Sequence, residues 1–173
     1  MSTRLDFATL DLMDALDLAV LVEGEAYDRY VLFAEQLGHR QIGDAASVFR
    51  QMADNERKHG QDLMAQRLQR FGDAPRRVTR DDLFDVEAPE AGAIHAGMST
   101  LRAFEVALEA ESKALAFYVG ALEHVHDAEI RALFAELRDE EVEHVRQVRA
   151  AIAALPPEAA IEWEQDEDDL AAL

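Results

Sequence analysis

The sequence predicts an all-α chain folded as an antiparallel four-helix bundle, two helical hairpins joined by one long crossover. Three observations predict it. Apolar residues recur with the 3.6-residue helical period in four separate segments. Only 8 Gly and 4 Pro occur in 173 residues, too few for the turns of an all-β protein. The connections run short, long, short, so each closely linked pair is a hairpin and one link must cross the bundle.

The first segment runs from about Leu12 to Leu37 and stops at Gly38, a favourable residue just past a helix end. The second starts with Asp44 as N-cap and continues to about Arg70, before Phe71-Gly72-Asp73-Ala74-Pro75 breaks it. The third begins after Ser99 or Thr100 and reaches about His126. The fourth takes Asp127 as its cap and ends before Pro156-Pro157. Between the second and third lie roughly thirty residues, from about 71 to 99. A helix of about 26 residues is about 39 Å long, which that much chain spans easily. Residues 1–157 are therefore expected to form the bundle, and 158–173 an acidic C-terminal tail with one tryptophan, Trp163.

Composition narrows the chemistry. Hydrophobic residues make up 49% and charged residues 31%, enough for a buried core with a charged surface. The net charge of −19 argues against nucleic acid, whose binding needs Lys and Arg to displace counterions. No apolar run approaches the ~18 residues of a membrane span. Met1-Ser2-Thr3-Arg4-Leu5-Asp6 lacks the basic start and apolar run of a secretory peptide, so a cytoplasmic location is expected. Zero cysteines leave no thiol nucleophile, no iron–sulfur cluster and no rubredoxin-type iron site. Any metal must be held by carboxylate and imidazole.

The second helix carries Glu56-Arg57-Lys58-His59 and the fourth Glu141-Val142-Glu143-His144. Residues three apart share a helix face, so each pair presents a carboxylate and an imidazole together. Glu-x-x-His alone is weak, and a third copy, Glu123 with His126, is expected at the surface near a helix end. Internal repetition is stronger. Phe49 precedes Glu56 by seven residues and Phe134 precedes Glu141 by seven; Glu23 precedes Tyr30 by seven and Glu111 precedes Tyr118 by seven. Matching positions are offset by 85 and 88 residues, as in a duplicated hairpin with one half-site each. The four glutamates fall near their helix midpoints, which lie at one height in antiparallel hairpins. Their inward neighbours are apolar or aromatic: Val20, Tyr27 and Tyr30 near Glu23, and Leu108, Leu115 and Tyr118 near Glu111. Unpaired carboxylates in such a core are costly, and two divalent cations remove most of that cost. The expected ligands are Glu23, Glu56, His59, Glu111, Glu141 and His144, a set that suits iron or manganese, with zinc also accommodated.

Glu23-Gly24-Glu25-Ala26-Tyr27-Asp28-Arg29-Tyr30, Ala53-Asp54-Asn55-Glu56-Arg57-Lys58-His59 and Glu140-Glu141-Val142-Glu143-His144 resemble the metal-binding helices of the rubrerythrin-like branch of the ferritin-like superfamily. The resemblance covers about Leu12 to Leu155. It implies a ferritin-like bundle holding two iron ions, with Glu56 and Glu141 bridging them. Glu23 with His59 completes one metal, and Glu111 with His144 the other. Asn55 and Glu140 are expected to hold the histidine of the opposite helix, and Tyr30 and Tyr118 to hydrogen-bond ligand carboxylates. Rubrerythrins place an additional Glu three residues after the third-helix ligand, where this chain has Ala114. The remaining six-ligand set is closer to the symmetric site of bacterioferritin-type ferroxidases.

The implied function is a non-haem di-iron oxidoreductase reducing H2O2 or O2, with electrons from a separate donor. Ala107 and Ala114 beside Glu111 leave room for such a small oxidant. A ferroxidase taking Fe(II) as substrate is the alternative, and a non-catalytic metal-binding bundle a third. The fold's habits imply a homodimer.

Overall fold

The computed structural model describes residues 6–37, 45–80 and 98–161. Four helices dominate them: α1 Leu12–Leu37, α2 Ala45–Phe71, α3 Thr100–His124 and α4 Ala128–Ala154. α1 packs on α2 and α3 on α4, giving the two expected hairpins. No helix among the described residues is long and apolar enough to cross a membrane. Gly38 and Asp44, expected as caps, lie outside the described residues, as do His39, His95 and Trp163.

The described ends follow local chemistry. Ser99 caps α3 by accepting from the Arg102 amide, and Asp127 caps α4 by accepting from the Glu129 and Ile130 amides. α3 stops at His124 instead of continuing to His126. Val125 turns to an extended conformation and is buried, while Arg131 of α4 donates to the carbonyls of Leu122 (2.6 Å) and Val125 (2.8 Å). A side chain from the next helix thus satisfies carbonyls that helix continuation would otherwise use. Glu123 and His126 are both exposed, in keeping with the surface role expected of that pair.

At the end of α2, Gly72 adopts the left-handed conformation (φ 57°) and its amide donates to Leu68. Arg67, buried one turn earlier, donates to the carbonyls of Gly72 (2.7 Å) and Ala74 (2.5 Å) and makes a paired contact with the fully buried Asp17 of α1 (2.9 and 3.3 Å). The chain then runs along α1. Arg76 reaches Asp17, Arg77 bonds Asp14 and Asp11, and Arg80 reaches Asp28 and Glu25. Arg76 and Arg77 lie beside Asp11, Asp14 and Asp17, and Arg80 beside Glu25 and Asp28, so the described start of the crossover moves toward the C-terminal end of α1. That is the direction needed to start α3 there.

Two apolar layers fill the bundle. One joins the N-terminal half of α1 to Leu63, Tyr118, Ile130 and Phe134; the other joins its C-terminal half to Phe49, Met98, Phe104 and Val148. Each contains one tyrosine–phenylalanine pair of the duplicated pattern: Tyr118 on Phe134 at 5.6 Å and Tyr30 on Phe49 at 5.9 Å between ring centroids. Residues Pro157–Ala160, which span the expected boundary between bundle and tail, form a 3-10 turn packed on α3 with Ala159 buried. The buried polar centre lies between the layers.

Candidate metal centre

Glu23 of α1, Glu56 and His59 of α2, Glu111 of α3, and Glu141 and His144 of α4 sit near the middles of their helices. All four glutamates and His144 are buried, none more than 5% exposed, whereas the His59 side chain is 28% exposed. Burying four carboxylates together is the opposite of what folding alone selects.

The distances show how they converge. His144 Nδ1 lies 3.4 Å from Glu56 Oε1, 3.4 Å from Glu111 Oε2 and 3.6 Å from Glu141 Oε2. His59 Nδ1 lies 3.5 Å from Glu23 Oε2, 3.9 Å from Glu56 Oε2 and 3.8 Å from Glu140 Oε2. The two rings face each other nearly parallel, 5.9 Å apart. Glu56 thus offers one oxygen to each histidine and spans the centre. Glu141 groups with Glu111 and His144.

These spacings fit a metal better than hydrogen bonds. Two donors each about 2.1 Å from one ion stand about 3 Å apart at a right angle and about 4 Å apart when opposite. All six contacts fall in that interval and are long for hydrogen bonds. Glu23 Oε2, Glu111 Oε1, Glu141 Oε2 and both histidine Nδ1 atoms are buried and make no hydrogen bond among the described residues. Orphaned donors of this kind, all oxygen and imidazole nitrogen, match a site for divalent iron, manganese or zinc. Three sets hold their donor atoms within 4.8 Å of one another: Glu56 with His59 and His144, Glu111 with Glu141 and His144, and Glu23 with His59 and Glu140.

Protonation follows the same crowding. Burial opposes charge on His144, yet Glu111, Glu141 and Glu56 outweigh it and its pKa is pushed up to about 12. Burial drives the Glu141 carboxyl well above the ordinary carboxylate value, and Glu111 adds to the rise. Glu111 moves the other way, because His144 and Glu141 together overcome its burial. His59 is raised by Glu23 against the effect of burial, with Glu140 contributing. Without metal, then, protons take the place of cations.

The remaining expected residues divide. Glu140, from α4, reaches His59 of α2 across the hairpins, at Nδ1. Tyr30 is fully buried, and its hydroxyl makes no hydrogen bond among the described residues. Tyr118 is fully buried against Phe117 and Phe134. Ala107 and Ala114 are buried on α3, one turn before and one turn after Glu111. Asn55 is half-buried. The Asp17–Arg67 pair is a polar core feature that the helical pattern did not single out. A signal existed: Arg67 lies eleven residues beyond Glu56, three turns along the same inward face.

Two clefts approach the centre. One, of about 340 Å³, opens between α1 and α2, lined by Glu23 and Glu56 together with Val20, Gly24, Tyr27, Gly60 and Met64. A second, of about 170 Å³, opens between α2 and α4 over His59 and Glu140.

No curated protein matches the chain. A solved structure similar to it is the crystal structure of an uncharacterized conserved protein from Magnetospirillum magnetotacticum MS-1, 28% identical over 85% of this chain and 97% of that one, with a TM-score of 0.72. The rubrerythrin family model matches residues 14–152, the span that carries both Glu-x-x-His helices and both single-glutamate helices. The chain therefore belongs to the rubrerythrin family.

Proposed function

We propose that this chain is a non-haem di-iron oxidoreductase that reduces H2O2 or O2 with electrons from a separate donor. The observation that carries the reading is the larger cleft. A site built only for structure would be closed on every side, whereas here Glu23 and Glu56 line an open cleft together with Val20, Tyr27 and Met64. Its apolar wall suits a small neutral oxidant. When bound, two Fe(II) ions supply two electrons together to one oxidant molecule, which avoids one-electron products.

The chain's own residues position that chemistry. Glu56 spans the two histidines and sets their separation, while Glu23 and Glu111 hold opposite sides. The layers containing Tyr30 with Phe49 and Tyr118 with Phe134 exclude water along the bundle axis. A cytoplasmic setting, where reductants are supplied by other proteins, suits this reading.

One observation favours a second reading. The smaller cleft carries Asp62, Glu136 and Glu140, a lining that attracts cations, as a ferroxidase with Fe(II) as substrate would need. Anaerobic loading with Fe(II), followed by separate additions of H2O2 and O2, distinguishes the two. Two irons per chain with repeated peroxide turnover in the presence of a reductant is the expected outcome. Continued consumption of excess Fe(II) without a reductant would select the ferroxidase. A chain that binds fewer than two metals would overturn both.

A further inference from the structure

We infer that Glu140 is a seventh metal-ligating carboxylate, serving only the metal held by His59 and closing the acidic cleft through which that metal is reached. The inference rests on the two-metal reading above and adds to it an asymmetry.

The carrying observation is which atom Glu140 approaches. A carboxylate that merely orients a ligating imidazole bonds the ring nitrogen turned away from the metal. Glu140 Oε2 instead stands 3.8 Å from His59 Nδ1, the nitrogen that also faces Glu23 at 3.5 Å and Glu56 at 3.9 Å. One donor atom each from Glu23, His59 and Glu140 fits within 4.8 Å. An ion placed among them takes all three, whereas no hydrogen bond joins Glu140 to the ring. Glu23 is 3% exposed and its Oε2 makes no hydrogen bond among the described residues, so an acceptor of cations is already buried against this group.

The other half of the centre has no counterpart. Glu140 directly precedes Glu141; in the repeated hairpin the residue directly preceding Glu56 is Asn55, a neutral amide. Among the described residues, His144 pairs with Glu56, Glu111 and Glu141. Exposure differs accordingly: the Glu140 side chain is 41% exposed, and it lines the cleft with Asp62, Glu136 and His59. A cation arriving in that cleft meets negative charge, a half-buried imidazole and, behind it, the buried Glu23 carboxylate. Glu140, on a flexible side chain at the boundary, can ligate from either side.

Titration with Co(II), read by visible absorption, tests this without any turnover. The wild-type chain should bind two Co(II). Glu140→Gln should weaken one of them tenfold or more and leave the other within about twofold. Glu136→Gln removes a charge from the same cleft without removing a ligand, and should change both affinities less than threefold. The loss from Glu140→Gln should persist in a His59→Ala background, because a ligand acts on the metal itself; a residue that only held the ring would have nothing left to do. Unchanged binding in Glu140→Gln, equal weakening of both metals, or an effect that vanishes with His59 overturns the inference. Fewer than two Co(II) in the wild type instead overturns the two-metal reading on which it rests.

Discussion

The two halves of the centre come from repeated hairpins, yet they solve the burial of charge differently. In the His144 half, an imidazole 5% exposed is pressed against Glu56, Glu111 and Glu141, all within 3.6 Å. These groups are buried, so in the apo-protein protons take the place of a metal there. In the His59 half the ring is 28% exposed, its carboxylates stand slightly farther off, and a cleft lies over it. The repeated pattern offers two similar sets of ligands, yet one set is buried while a cleft between α2 and α4 lies over the histidine of the other. Under the proposed two-metal reading, the buried half would keep its metal while the half beneath the cleft would exchange it.

The largest effect comes from breaking what the halves share. Glu56 contributes Oε1 toward His144 and Oε2 toward His59, so it belongs to both. Glu56→Ala should weaken both metals by more than about 100-fold, beyond the usual reach of a group outside the ligand set. Isothermal titration with Co(II) or Zn(II) checks it, and retention of one tight metal would show that Glu56 does not bridge. The same variant should lose the stabilisation that excess metal gives, about 2.7 kcal/mol per site at a hundredfold excess over Kd.

Next in size is the contrast between histidines in the metal-free protein. His144→Ala removes a cation that three buried carboxylates share, so urea denaturation at neutral pH should show a loss of about 3 kcal/mol. His59→Ala opens a partly solvated position, where water can replace the ring, and should cost about 1 kcal/mol or less. Equal losses would mean that the closed and open halves do not differ energetically.

Much of this was legible in the sequence, and the parts that were not share a physical cause. Helices, hairpins and the convergence of Glu23, Glu56, Glu111 and Glu141 follow from periodicity and mid-helix placement, which are properties of each segment. Ser99 and Asp127 announce their helices because capping is equally local. The end of α3 is different. It depends on Arg131 of α4 reaching Leu122 and Val125, a partner that no window around His126 contains. The Asp17–Arg67 pair likewise joins residues fifty positions apart. Glu140 is the most instructive case. Sequence identified it as a neighbour of the opposite histidine, but which ring nitrogen it meets, and how open that edge is, depend on residues of α2 and α4 that lie about eighty positions apart.

The subtlest expected effect concerns Glu141 and sharpens the account of the closed half. Burial, reinforced by Glu111, raises its folded-state pKa well above the unfolded value near 4.5. Below that value both states carry the proton and the group is neutral in its effect. As pH rises above it, the unfolded chain ionises while the folded one keeps its proton, so metal-free wild type loses stability by at most about 1.4 kcal/mol per pH unit until the folded pKa is reached. Glu141→Gln has the shape of the protonated acid and nothing to ionise. Without metal it should therefore match wild type near pH 4.5 and become the more stable of the two by about 1 kcal/mol or more at pH 7, as read by urea denaturation at each pH. The same substitution should weaken the His144 metal more than the His59 metal, because Glu141 groups with Glu111 and His144. A carboxylate that destabilises the empty bundle and is needed by the filled one is placed for the metal. Should Glu141→Gln instead destabilise the empty protein at every pH, the buried acid would be serving the fold, and the closed half would be a structural polar core.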